Sequence, residues 1–314
     1  MKLGIVVVYL IEEDNEKLLD LHLHQIEKHT NVPYSIYGST NRLLPQLRRK
    51  LEQHPKVKVC QCPTTDFRGR EEHSFYLEHL VRNAIEDGSS HIVTLHVDSF
   101  PIRSDWIEKL ASKLSDSCVL ATIQDEKEYP MMPNTACLFF NKDFYLNYRP
   151  TFLPSREDLS TREYQLYLEK CGQEIHSGSG YVFKASLHGL SWHPMQRTNK
   201  RENHHRLGSI YDDLVFHLGA AARRDKSFLE DGQWIKKVKS RNVIRNTLFK
   251  LGSVLLSQKA KHRARAIIPK QLIWFFEPRQ RLVDENIEIF ESIKRQLIED
   301  PEAYLNYLRT GKGR

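Results

Sequence analysis

Short continuous apolar runs alternate along this chain with stretches whose apolar residues recur at helical spacing. Leu3 to Leu10 is an unbroken apolar run, the pattern of a strand buried on both faces. From Asn15 to His29, Leu18, Leu19, Leu21, His22 and Ile26 fall near helical spacing, and Pro33 closes that helix. Tyr34 to Tyr37 predicts a second strand, Pro45 to Gln53 a helix and Val57 to Cys62 a third strand. The loop Asp66 to Arg70 then leads into a helix over Glu72 to Glu86. Further on, Asp105 to Leu114 and Ser155 to Cys171 predict helices, and Ser117 to Ile123 and Ala136 to Asn141 predict strands. Gly172 to Gly180 reads as a polar loop, and Tyr211 to Gly219 as a short hydrophobic segment with carboxylates ahead of it. The alternation argues a doubly wound, mostly parallel α/β sheet.

The stretch His91 to Pro101, HIVTLHVDSFP, is central to that pattern. A β-branched run reaches Asp98 and Ser99, and Pro101 is expected to end extended pairing. If the strand continues to Asp98, Thr94, His96 and Asp98 share one face. Ligands of open α/β sheets sit beyond the carboxyl ends of the strands, so His96 and Asp98 are placed to hold a metal or a phosphate-bearing ligand. The plain alternative is a strand followed by an Asp-Ser turn, with His96 a satisfied interior histidine.

Composition changes this picture in two respects. The 314 residues, 40% hydrophobic and 28% charged, suit one large soluble domain with an extension. The net charge of +7 is local: eleven Lys or Arg and no Asp or Glu lie between Gly232 and Phe276. In that region Ile244, Leu248, Leu251 and Leu255 form one helical stripe. The boundary is therefore expected near residue 224, with a sheet domain over 1–224 and a basic helical extension over 225–314. Five cysteines, an odd number without paired zinc spacing, read as reduced thiols in a cytoplasmic protein. Acidic residues follow the first apolar run at once, which favours a strand over a signal peptide, and no run is long enough to span a membrane.

Three stretches together carry a family resemblance. They are the first strand with the turn Gly38-Ser39-Thr40, the segment HVDSFP at the place of an Asp-x-Asp motif, and the late segment DDLVFHLGAAAR. Over about residues 3 to 224 the chain resembles the GT-A class of nucleotide-sugar-dependent glycosyltransferases, particularly family 2-like bacterial members. ACLFFNKDFY also looks like that family's acceptor-side strand. The resemblance implies a GT-A (nucleotide-diphospho-sugar transferase) sheet and a metal-dependent transfer of sugar from a nucleoside diphosphate to a hydroxyl. The acceptor would be a saccharide or a lipid-linked saccharide, in cell-surface polysaccharide synthesis. Inversion at the sugar carbon follows by family analogy alone.

The same resemblance assigns roles. Charge develops on the departing diphosphate, and a divalent cation, Mn2+ or Mg2+, offsets it. Asp98 is expected as the direct metal ligand and His217 as the second. His96 stands where the family has its first Asp, and it binds metal, touches ribose or only packs. Gly38, Ser39 and Ser99 are candidates for the nucleotide-sugar site. Arg68 and Arg70 are candidates for the diphosphate, as are Arg197 and Lys200; the alternative for each is a solvated surface cation. The loop EIHSGSGY resembles a family Asp-Thr-Gly segment with His176 in place of the Asp. The general base is therefore His176, Glu174 or Asp213, or the enzyme is impaired. Asp212 and Asp213 also suit a turn. The basic extension reads as docking to an anionic membrane surface, or as a helical pair packed on the sheet with one basic side. Nucleic acid is not an expected partner. The rival functions are a nucleotidyltransferase on a related sheet and a non-catalytic nucleotide- or sugar-binding relative.

Overall fold

A computed structural model describes residues 1–11, 15–124, 132–171, 175–201, 204, 206–219 and 278–312, the stretch 278–283 as backbone only. Seven strands build the main sheet: β1 (Leu3–Val8), β2 (Tyr34–Ser39), β3 (Val57–Cys60), β4 (His91–Leu95), β6 (Cys118–Gln124), β7 (Pro133–Asn141) and β8 (Ser191–Met195). Their order is β3-β2-β1-β4-β7-β6-β8, parallel throughout except for β7, which runs against both β4 and β6. The strands on either side of β1 reverse the direction of winding, so the crevice at the carboxyl ends of β1 and β4 is a topological switch point.

Alternation along β1 divides the core into two layers. Leu3, Ile5 and Val7 pack with α1 (Glu16–His29), α2 (Pro45–Gln53) and α4 (Trp106–Ala111) on one face. Val6 and Val8 pack on the other with α3 (Arg70–Glu86), α7 (Arg162–Lys170) and α8 (Ser179–Leu187). This is the doubly wound α/β architecture expected. A second sheet has three short strands, β5 (Ser99–Pro101), β10 (Val215–His217) and β9 (Ser209–Tyr211), all antiparallel.

Several expectations are corrected. The strand carrying HIVTL ends at Leu95, and residues 96–98 turn, closed by Ser99 N donating to His96 O at 3.0 Å. His96 and Asp98 thus belong to a turn and not to a strand face. Pro101 does not end pairing; it lies within β5, opposite Val215, on a strand at the sheet's edge where its missing N–H is tolerated. Gly38 lies inside β2, and a Cβ there would sit 2.8 Å from the Tyr9 ring, so its lack of a side chain serves packing against Tyr9. The predicted helix from Ser155 to Cys171 is two: α6 (Arg156–Leu159), capped by Ser155, and α7, capped by Thr161. Two helices had no strong periodic signal, α5 (Lys142–Tyr148) and α8, the latter starting inside the segment read as a polar loop.

The described part of the carboxyl terminus forms α9 (Pro278–Glu299) and α10 (Pro301–Thr310). The chain divides into one compact unit of Met1–Arg223 with Leu297–Arg314, and another of Arg224–Gln296. The last helix therefore belongs with the sheet. The basic segment from Gly232 to Phe276 lies outside the described residues. All five cysteines are free thiols, and among the described residues no helix is long and apolar enough to cross a membrane.

Candidate metal centre

The turn after β4 and the end of β10 converge at the switch point. Asp98 is 2% exposed, and His96 and His217 are partly buried. One ligating atom from each of the three lies within 4.8 Å of the others, and His217 Nε2 is 3.6 Å from Asp98 Oδ1. Antiparallel register explains the meeting, because His217 pairs with Ser99 and Leu218 N donates to Asp98 O at 2.9 Å. A separation of more than a hundred positions in sequence is closed by this short ribbon.

Polar contacts fix the turn from beneath. Ser99 Oγ donates to Ala136 O at 2.6 Å and accepts from His96 N at 2.8 Å. Its carbonyl accepts from His22 Nδ1 at 2.9 Å, which puts the ring proton on Nδ1. Ser99 is thus a buried pin for the turn, with its hydroxyl used inside the protein. The His96 ring reaches Thr135 Oγ1 through Nε2 at 3.2 Å and meets the edges of His73 at 5.1 Å and His217 at 5.5 Å. Burial, with the His73 and His217 rings adding to it, holds His96 well below the usual histidine range. The neutral ring is the form that ligates a metal.

Two residues of this site escaped the sequence reading. His73 stands four and seven positions before Leu77 and Leu80, both buried, so the inward stripe of α3 carried the signal. Thr135 precedes the apolar run that marked β7, and a polar residue at a strand's start gives no periodic cue.

The other candidates are distributed differently. Asp213 accepts from Arg103 Nη1 at 3.0 Å and from Arg309 Nε at 2.7 Å. Burial raises its pKa, but Arg309 and Arg103 outweigh that and leave the carboxyl below the ordinary aspartate range. A carboxylate so committed is a weak proton acceptor, which counts against its expected role as base. Asp212 accepts from Gln196 N at 2.8 Å and pairs with His193 Nε2 at 2.6 Å. Arg70 Nη1 donates to Ile175 O at 2.7 Å, and Arg68 Nη1 to Phe67 O at 2.7 Å, so both bind backbone. Arg197 Nη2 donates to His204 O at 2.8 Å, and the Lys200 amide donates to Leu308 O at 2.8 Å. Ser39 is buried, with its hydroxyl on Asn41 Oδ1 at 3.1 Å.

His176 leads the loop into α8, its amide on Ser179 Oγ at 3.0 Å. Ser177 Oγ lies 2.9 Å from Ser74 Oγ, one residue from His73. Gly178, with a φ of 99°, seats the loop against β7, where a Cβ would lie 3.4 Å from Thr135 Cγ2. The loop is therefore bonded to the same α3 turn and packed on the same threonine that contact His96. Glu174 lies outside the described residues.

No family model and no curated protein matches the chain. Among solved structures it is similar to the mannosyltransferase PcManGT from Pyrobaculum calidifontis in complex with GDP-Man and Mn2+, at 10% identity over 95% of this chain and 87% of that one, TM-score 0.46. It is also similar to S. aureus TarS 1–349, at 12% identity over 94% and 92%, TM-score 0.37. A third is the galactosyltransferase LgtC in complex with donor and acceptor sugar analogues, at 9% identity over 61% and 73%, TM-score 0.37. At such scores the likeness decides nothing about chemistry, and the function of this α/β chain has to be argued from its own turn, ribbon and ligand set.

Proposed function

We propose that the chain is a metal-dependent glycosyltransferase of the GT-A type, moving a sugar from a nucleoside diphosphate to a hydroxyl. The single observation that supports this most is the meeting of His96, Asp98 and His217 at the switch point of a mostly parallel sheet. Two ligands at roughly 2.1 Å from one ion stand about 3 Å apart when adjacent and about 4 Å when opposite. The 3.6 Å between His217 Nε2 and Asp98 Oδ1 fits one ion held by both. Two imidazoles with one carboxylate suit Mn2+ better than Mg2+, which prefers oxygen donors. The ion would supply positive charge beside a departing diphosphate. This chain's part is to hold the cation on a turn whose backbone and side chains are already hydrogen-bonded, so little reorganisation is needed as charge develops.

His176 is the proposed proton acceptor for the incoming hydroxyl, with Glu174 the alternative. Its loop is bonded to α3 through Ser177 and Ser74 and packs on Thr135, whose hydroxyl also meets the His96 ring. The acceptor is a saccharide or lipid-linked saccharide in this proposal, and transfer inverts the sugar carbon. The basic segment between Gly232 and Phe276 is the proposed contact with an anionic membrane at the cytoplasmic face. A non-catalytic sugar-nucleotide binder is the second reading, favoured by the two guanidiniums that occupy Asp213.

Thermal shift with a panel of nucleoside diphosphates, each with and without Mn2+, tests the donor site. A diphosphate present at 100 times its dissociation constant adds about 2.7 kcal/mol of stability. Stabilisation that needs both nucleotide and Mn2+, and is lost in Asp98→Ala, is expected; no stabilisation of the wild type by any pair would end the proposal. Hydrolysis or transfer of a UDP- or GDP-sugar separates the enzyme from the binder.

A further inference from the structure

The ribbon that carries His217 is held at its tip by the last helix of the chain. Asp212 and Asp213 join β9 to β10 with φ values of 50° and 58°, and Leu214 N closes the turn on Tyr211 O at 2.9 Å. Two consecutive positive φ angles mark the tight hairpin turn usually made by Asn-Gly, and a residue with a Cβ is strained at each. External partners hold this turn in place. Arg309 of α10 grips Asp213 with two bonds, Nε to Oδ1 at 2.7 Å and Nη2 to Oδ2 at 3.0 Å, while Arg103 takes Oδ2 from the other side. Farther down, the Tyr304 ring of α10 meets the edge of Phe216, the residue before His217, at 6.4 Å. The amide of Lys200 closes on Leu308 O, and Arg201 Nε donates to Gly311 O at 3.2 Å. The helix also meets α1, where Lys28 and Gln25 bond to Glu302.

We propose that α10 is a positioning element for the metal centre, in which Arg309, clamped on Asp213, keeps the ribbon docked so that His217 stays beside Asp98. The inference rests on the metal reading given above, and concerns how this chain's own residues prepare that site. A three-residue strand offers few ladder bonds, so the contacts at its tip add to the burial of Val215 and Phe216 in placing it. Arg309 is a positioning residue, acting on the ion only through the turn and His217.

The test uses the full chain and two readouts, Mn2+ affinity by titration calorimetry and hydrogen exchange of the 209–218 segment without metal. Arg309→Gln is expected to speed exchange there and to weaken Mn2+ about fivefold, with Arg309→Lys recovering part of both. Lys28→Gln, which loosens α10 only at α1, is expected to leave both unchanged. Faster exchange with unaltered Mn2+ affinity would overturn the positioning role, since the clamp would then be purely structural. Unaltered exchange in Arg309→Gln would overturn the clamp itself. Equal effects of Lys28→Gln and Arg309→Gln would overturn its specificity. A wild-type protein that binds no Mn2+ would instead sink the metal reading, with the exchange data still reporting on the clamp.

Discussion

The two sides of the candidate metal centre are built on different physics. Asp98 and His96 hang from β4, whose residues 92–95 are buried and which is paired on both edges across the seven-stranded sheet. His217 hangs from a ribbon of three-residue strands held by register with β5 and by guanidinium–carboxylate contacts at its tip. One wall is fixed by apolar burial, which is indifferent to salt and moderate changes of pH. The other adds to the buried Val215 and Phe216 a set of ion pairs at its tip that are partly open to water. A site shared between such walls can be loosened from one side while the fold as a whole stays intact.

The sharpest way to break this comparison is to remove one ligand from each wall. Asp98→Ala and His217→Ala are each expected to cut metal-dependent turnover by about 10^2- to 10^3-fold, with native circular dichroism in both. Full activity in His217→Ala would make the ribbon irrelevant to the site. Next in size, Ile5→Ala in β1 is expected to lower unfolding free energy by about 2–5 kcal/mol in urea titrations, as a fully buried core residue on the central strand. A loss under 1 kcal/mol would deny the sheet its apolar anchoring.

Acid should act at the root of the ribbon. Burial lowers the His22 pKa to about 4, partly offset by its bond to Ser99 O. Its folded pKa lies below the unfolded value near 6.5, so the unfolded state binds the proton first and stability falls as pH drops from about 6.5 towards 4, by about 3 kcal/mol at most. His22→Gln should flatten that part of the profile; an unchanged slope would assign it to other groups. The smallest effect belongs to the ribbon tip. Arg103→Ala is expected to cost about 1 kcal/mol, and 0.5 M NaCl should shrink that difference between wild type and variant. A cost that salt does not touch would mean the tip is held by packing.

Legibility in the sequence follows the same division. Most strands of the large sheet announced themselves because burial on both faces demands unbroken apolar runs, as in LGIVVV and CLFF, whereas β8, a partly buried strand at the sheet's edge, gave no such run. His217 stood out as a candidate ligand only through resemblance, and Asp98 as one of two readings of a strand-end His-x-Asp, since that pair and a lone histidine in VFH are each common without metal. The turn after Leu95 was legible only as the plainer of two alternatives, because HIVTLHV is continuous β-type sequence and what stops β4 at Leu95 is the Ser99 hydroxyl bonding to the His96 amide and to Ala136. The glycine of YGST suggested an open loop, while the ring it accommodates, Tyr9, comes from a different part of the chain. Arg68, Arg70 and Asp213 looked available because composition reports charge but not partners: Arg68 turns back onto the carbonyl of its neighbour Phe67, while Ile175, Arg103 and Arg309 lie about a hundred positions from the groups they bind, at separations that no local pattern encodes.

The return of Leu297–Arg314 to the sheet has a practical side for anyone cloning fragments. A recombinant piece stopped at Arg223 would keep the ten strands described above yet lose the helix gripping the hairpin, so any fragment meant to test the proposed site has to carry Leu297–Arg314 as well.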